Sequence, residues 1–134
     1  MQTKQVIVWR NDLKCRTGKK MGQAGHAVLA LFEKQIYENI DENGFVKFRL
    51  TPEQIAWRKS QWRKIVLQVN SEEELLTIYE YAKKQGISAE LIVDAGLTEW
   101  DEPTKTCVAL GPDYDERIDQ VTGENGPLGK LKLM

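Results

Sequence analysis

A strand-end aspartate, two nearby hydroxyls and a lysine would make a hydrolytic site, and this sequence carries such residues at three separated points. "DAGLT", residues 94–98, has the pattern of a carboxylate at a strand end, two small residues, then a hydroxyl shortly after. Small residues there let a ligand approach the backbone closely. "TKTCVALG" adds Thr104 and Thr106, two apart and so on one face of a strand. The stretch from Arg10 to Lys20 holds Arg10, Lys14, Arg16, Lys19 and Lys20 against one acid, Asp12, the strongest local charge bias in the chain. Asp94 with nearby hydroxyls and Lys19 would form a hydrolytic site: an aspartate to position or deprotonate water, a lysine to stabilise an oxyanion.

Each feature also has an ordinary structural reading, and the residues alone leave both open. A charge run is usually a solvated loop. An Asp at a strand exit is often a turn residue, and a strand Thr often reflects β-propensity alone. Gln23 and His26 stand three apart on one helix. His26 is the only imidazole, and such a residue more often packs with a hydrogen bond than serves as a base. Thr17-Gly18-Lys19 lacks the GxxxxGK[ST] spacing of a Walker loop. Trp57, Trp62 and Tyr79 read as core or interface. Trp100, just beyond "DAGLT", reads as the most exposed aromatic and a possible stacking surface.

The elements that must position these groups are legible in outline. "QVIVWR", residues 5–10, is a short run rich in β-branched residues and predicts a buried strand. Met21, Ala24, Val28, Leu31, Phe32 and Ile36 recur at steps of three and four, which predicts a helix over about 19–39 with those residues on its buried face. Two lysines at its start are unexpected. A helix N-terminus is partly positive, so a cation there is mildly unfavourable unless solvated or facing an anion. "FVKFRL", residues 45–50, alternates and suggests a short extra strand. Thr51-Pro52-Glu53-Gln54 reads as an N-cap followed by Pro at the first helical position, with a helix to about residue 60. "KIVLQV" predicts a second strand. "NSEEELLTIYEYAKKQG" predicts a helix with a Ser71/Glu74 capping box and Gly86 just past its end. "AELIV" and "TKTCVALG" predict two more strands, ending at Asp94 and at Gly111-Pro112. A last short helix and a Gly-rich tail follow. The expected fold is α/β: one domain over 1–134, a small four-stranded mixed sheet with helices on both faces. If the strands ending at Arg10 and Asp94 are parallel, their loops open on one edge, where ligands of such sheets sit.

Composition limits the functions available. With 19 basic and 20 acidic residues among 134, bulk charge favours no polyanion, so nucleic acid would have to meet a local patch. Two cysteines, Cys15 and Cys107, in no CxxC pattern and beside a single histidine make a zinc site unexpected. No metal and no cofactor is expected. No apolar run approaches a membrane span, and "VIVW" is too short for a signal-peptide core. A cytoplasmic protein is the simplest expectation.

Six segments in order, "VIVWRNDLK", "GKKMGQAGHA", "KIVLQVNSEEEL", "DAGLT", "TKTCVALGP" and "LKLM", resemble the archaeal/eukaryotic-type peptidyl-tRNA hydrolases over nearly the whole chain. The resemblance implies a four-stranded mixed sheet between helices, a homodimer, and hydrolysis of the ester joining a peptide to tRNA. It implies catalytic roles for Lys19, Asp94, Thr98 and Thr106, and places Gln23 at the family's helix-motif glutamine. Arg10, Lys14, Arg16, Lys20, Gln23 and His26 are then the candidates for binding the tRNA. Met21-Gly22 stands where the family commonly has two alanines, and Cys15-Arg16-Thr17 departs from its usual loop. The reading of a different class is a tRNA- or RNA-binding protein of the same fold without catalysis. It would keep the basic loop and need none of the four reactive residues.

Overall fold

A computed structural model describes residues 2–134. The elements run β1 (Thr3–Arg10), α1 (Thr17–Asn39), α2 (Pro52–Lys59), β2 (Lys64–Val69), α3 (Glu72–Lys84), β3 (Ala89–Asp94), β4 (Thr104–Tyr114), α4 (Asp115–Thr122) and β5 (Lys132–Leu133). The sheet has five strands in the order β3-β4-β1-β2-β5, not the four expected. The fifth comes from the tail: Leu133 and Lys132 pair antiparallel with Leu67 and Gln68 on the edge of β2. A two-residue strand has no sequence period, so only the pairing reveals it.

β1 and β2 are parallel, and β1 and β3 each lie antiparallel to β4, so β1, β2 and β3 all run the same way. Arg10, Val69 and Asp94 therefore end at one edge of the sheet, and Thr104 begins β4 at that same edge. This is the geometry that the α/β pattern requires for a ligand site.

Alternation along β1 feeds both faces. Val6 and Val8 join Leu67, Val69, Leu75, Ile78, Ala82, Ile118 and Val121, the core beneath α3 and α4. Ile7 and Trp9 join Ala27, Cys107 and Ala109 beneath α1. Trp57 of α2 is 1% exposed, and its indole donates to the Arg63 carbonyl at 2.8 Å. Burying each large apolar side chain of this kind contributes about 1.5–3 kcal/mol.

The local signals mostly act as expected. Thr51 caps α2 in a reciprocal box with Gln54. Ser71 accepts from the Glu74 N–H, but the Glu74 carboxylate takes the Asn70 N–H and not that of Ser71, so the α3 box is half made. Gly86 has φ +73°, the left-handed residue that ends α3. Three expectations fail. Phe45–Leu50 is no strand: an isolated bridge joins Val46 to Ile40, and none of these residues pairs with the five-stranded sheet. β4 continues past Gly111-Pro112 to Tyr114, because its far end keeps pairing with Lys4 and Thr3. Met21 is 71% exposed: the buried line of α1 runs through Gln23 and Ala27, one step round from the apolar pattern.

Candidate active site

The start of α1 lies against the loop after β3. Lys19 stands in the first turn of α1, and its Nζ is 2.7 Å from Asp94 Oδ1 and 2.8 Å from Thr98 Oγ1. Asp94 Oδ1 also accepts from Gln23 Nε2 at 3.1 Å, and Oδ2 accepts from the Gly96 N–H at 2.9 Å. Gln23 Oε1 accepts from Thr106 Oγ1 at 2.7 Å. One polar chain thus runs Thr106–Gln23–Asp94–Lys19–Thr98, from the interior to the surface. The lysine's position at a partly positive helix end is offset by the Asp94 carboxylate across from it, which answers the anomaly in the sequence.

Two backbone features make this possible. β4 carries a bulge opposite Ile92/Val93: Ile92 pairs with Cys107 and Val93 with Lys105, leaving Thr106 as the extra residue. A bulge re-aims its side chain, and here the Thr106 hydroxyl reaches Gln23. After Asp94 the chain turns at Gly96 with φ +81°, where a Cβ would collide with the main chain of Glu102. Only glycine fits that approach, and it brings the Gly96 N–H onto Asp94.

Electrostatics follow from this bonding. Asp94 and Lys19 side chains are 10% and 20% exposed. Hydrogen bonds from Lys19 above all, then from Gly96, hold the Asp94 carboxyl below the usual carboxylate value of 3.8 against the opposing effect of burial. Asp94 is therefore ionised at neutral pH and a weak base. An ionised carboxylate offers about four acceptor directions and an ammonium three hydrogens. Asp94 uses three acceptor directions and Lys19 two hydrogens. By that count each keeps one direction unused.

Thr98 is exposed and Thr106 is 0% exposed. The two threonines to which the resemblance gives catalytic roles are thus separated: one meets solvent, the other is an interior donor to Gln23. Gln23 itself is buried, and His26, three residues on, is exposed, so the two do not share a site. Arg10 is taken up elsewhere. Its guanidinium forks onto Asp12 at 2.8 and 3.0 Å, donates to the Lys105 carbonyl at 3.0 Å, and lies 3.5 Å from Glu72. Lys14 and Arg16 are exposed and Lys20 is half-buried.

Glu99 and Trp100 complete the surroundings. Glu99 Oε1 accepts from the Arg16 N–H at 3.2 Å and is 3.6 Å from Arg16 Nε, so a carboxylate already sits at the uncapped start of α1. The contact spans 83 residues of sequence, and no local signal announces it. Trp100 is half-buried against the cluster that includes Leu13 and Cys15, and is not the exposed platform expected. Lys19 Nζ lies 5.4 Å from its ring centroid, within cation–π range. Burial pushes the Cys107 thiol up to about 11. Among the described residues, no helix is long and apolar enough to cross a membrane.

Comparison with known proteins places this geometry in context. The family model described as "Peptidyl-tRNA hydrolase PTH2" matches residues 3–133. A peptidyl-tRNA hydrolase of Methanocaldococcus jannaschii is 38% identical over 123 residues, covering 90% of this chain and 95% of its own. One from Methanopyrus kandleri is 39% identical over 123 residues, covering 90% and 94%. One from Nanoarchaeum equitans is 43% identical over 120 residues, with the same coverage of 90% and 94%. A solved structure of a protein of unknown function from Agrobacterium shares the fold, with a TM-score of 0.57 at 16% identity over 100% of this chain and 98% of that one. The chain belongs to the PTH2 family of peptidyl-tRNA hydrolases.

Proposed function

We propose that this protein hydrolyses the ester between a peptide, or an N-blocked amino acid, and the 3′ ribose of tRNA, releasing both for reuse. The observation that carries the reading is the Lys19–Asp94 pair, with one free hydrogen-bonding direction on each partner. Asp94 orients the attacking water by accepting one of its hydrogen bonds. Its lowered pKa makes orientation, not outright proton removal in the ground state, its main contribution. Lys19 directs its remaining hydrogen and its charge at the oxyanion that forms as water adds to the ester carbonyl. Thr98, which accepts from Lys19, keeps its own hydroxyl hydrogen for the carbonyl or the water. Collapse of the tetrahedral intermediate breaks the bond to the ribose oxygen, which leaves with the proton that the attacking water gives up. The ester is already an activated acyl group, so the chain's own side chains suffice.

Gln23 and Thr106 act as positioning residues: Thr106 orients the Gln23 amide, whose N–H end holds Asp94. Lys14, Arg16 and Lys20 meet the tRNA phosphates, while Arg10 braces its loop. His26 lies on the exposed side of α1, where RNA contact is open to it. The protein works in the cytoplasm as a homodimer. Leu29, 55% exposed, Tyr37, 78% exposed, and Phe45, 74% exposed, support a self-association face. Sedimentation equilibrium tests the dimer. Release of labelled N-acetylated amino acid from tRNA by the purified protein tests the activity. tRNA bound without release would favour the binding-protein reading, which leaves the Lys19–Asp94–Gln23–Thr106 chain without a task.

A further inference from the structure

Two depressions flank the Lys19–Trp100 contact, and they differ in formal charge: two cations and one carboxylate line the first, one cation and three carboxylates the second. On one side Arg16, Gly18, Lys19, Thr98 and Glu99 line about 530 Å³ at the start of α1. On the other, about 550 Å³ is bounded by Leu13, Trp100 and Pro103 as apolar surface, with Glu72, Asp101 and Glu102 as carboxylates. Both lie in the ~300–1,000 Å³ range of sites that hold small organic groups. The single cation of the second cleft, Arg10, is already forked onto Asp12 and faces Glu72. That cleft is therefore net acidic, and the Trp100 ring that forms its wall is the one lying 5.4 Å from Lys19 Nζ.

From this asymmetry we infer that the cleft formed by Leu13, Glu72 and Trp100–Thr104 receives the acyl side of the substrate and favours a cationic side chain there. The inference rests on the hydrolase reading above. A peptidyl-tRNA has one polyanionic end and one peptide end on either side of the scissile ester. Carboxylates repel the RNA from the acidic cleft, and the basic residues at α1 draw it to the other. With the ester at Lys19, the amino-acid side chain lies on the Trp100 side. There Leu13, Trp100 and Pro103 cover its aliphatic stem, and Asp101 and Glu102 meet a terminal guanidinium or ammonium.

The test uses one tRNA carrying N-acetylated Arg, Gln or Glu as its ester. The wild-type protein should give kcat/KM in the order Arg, Gln, Glu, with about threefold to tenfold between the extremes, the size expected of a few partly screened carboxylates. The preference should shrink in high salt. Asp101→Asn with Glu102→Gln should bring the Arg-to-Glu ratio towards one, and Asp101→Lys should lower it further. Both residues are exposed, and a ratio measured within one variant is independent of how much of it folds. Equal turnover of the three esters by the wild type, or a ratio unmoved by the substitutions, overturns the acyl-site assignment and leaves the hydrolase intact. No turnover of any ester overturns the hydrolase reading and this inference with it.

Discussion

Lys19 Nζ stands 2.7 Å from Asp94 Oδ1, joining the first turn of a helix to the end of a strand 75 residues away in sequence. Both partners are largely buried, and each retains one unused hydrogen-bonding direction. Lys19→Ala should lower kcat by at least 10²–10³, the usual cost of about 2.7–4 kcal/mol for losing an oxyanion donor. Single-turnover ester hydrolysis checks it, with a circular dichroism melt to show that the fold survives.

Thr106→Val removes the donor to Gln23 Oε1 and leaves a buried side-chain acceptor unsatisfied. The expected outcome is a stability loss of about 1–3 kcal/mol and a fall in kcat with KM little changed, since Thr106 touches no substrate. Thr106→Ser restores the hydroxyl and should recover most of the activity. Loss of activity in Thr106→Ser equal to that in Thr106→Val would contradict the positioning role.

The pH dependence has a definite sign. The folded-state pKa of Asp94 is depressed, so the stability it contributes is present above its unfolded value and is lost as pH falls through the folded one. The acid limb of kcat/KM assigned to Asp94 should therefore lie below the ordinary carboxylate value of 3.8, or be replaced by acid unfolding. A pH–rate profile alongside an unfolding curve separates the two. An Asp94-dependent limb between pH 6 and 8 would argue for a true general base.

The tRNA contacts divide by salt dependence. Lys14→Ala and Lys20→Ala should each reduce the slope of log K against log salt by about 0.7–0.9, one phosphate contact apiece. Arg10→Ala should leave the slope unchanged, because Asp12, Glu72 and the Lys105 carbonyl already engage its guanidinium. Glu99→Gln removes a carboxylate from the start of α1 and should tighten binding at low salt. Filter binding over a salt series reads all four.

The residues of the candidate site are legible in the sequence; their connections are not. Asp94 and Thr98 stand four apart and announce themselves, and Lys19 is conspicuous at a helix start. Strand direction, which brings Arg10 and Asp94 to one edge, is only conditional in the sequence and is fixed by the pairing of β1 with β2 and of β1 and β3 with β4. The separation of Thr98 from Thr106 was hidden, because it depends on a bulge that involves a pairing between two strands. Glu99 was hidden for the same reason, its partner Arg16 being remote in sequence. β5 has no sequence signal because two residues carry no period, and the apolar pattern of α1 lies one step round from its buried line because Gln23, a polar residue, takes a core position and reaches Asp94.

The most direct test of the central claim is release of N-acetylated amino acid from tRNA by the wild-type protein and by Asp94→Asn, measured side by side at saturating enzyme. Hydrolysis by the wild type and a fall of at least 10² in the variant, with tRNA affinity retained, is the predicted result. Full activity in Asp94→Asn would contradict the account, because the group that orients the water would then lie elsewhere.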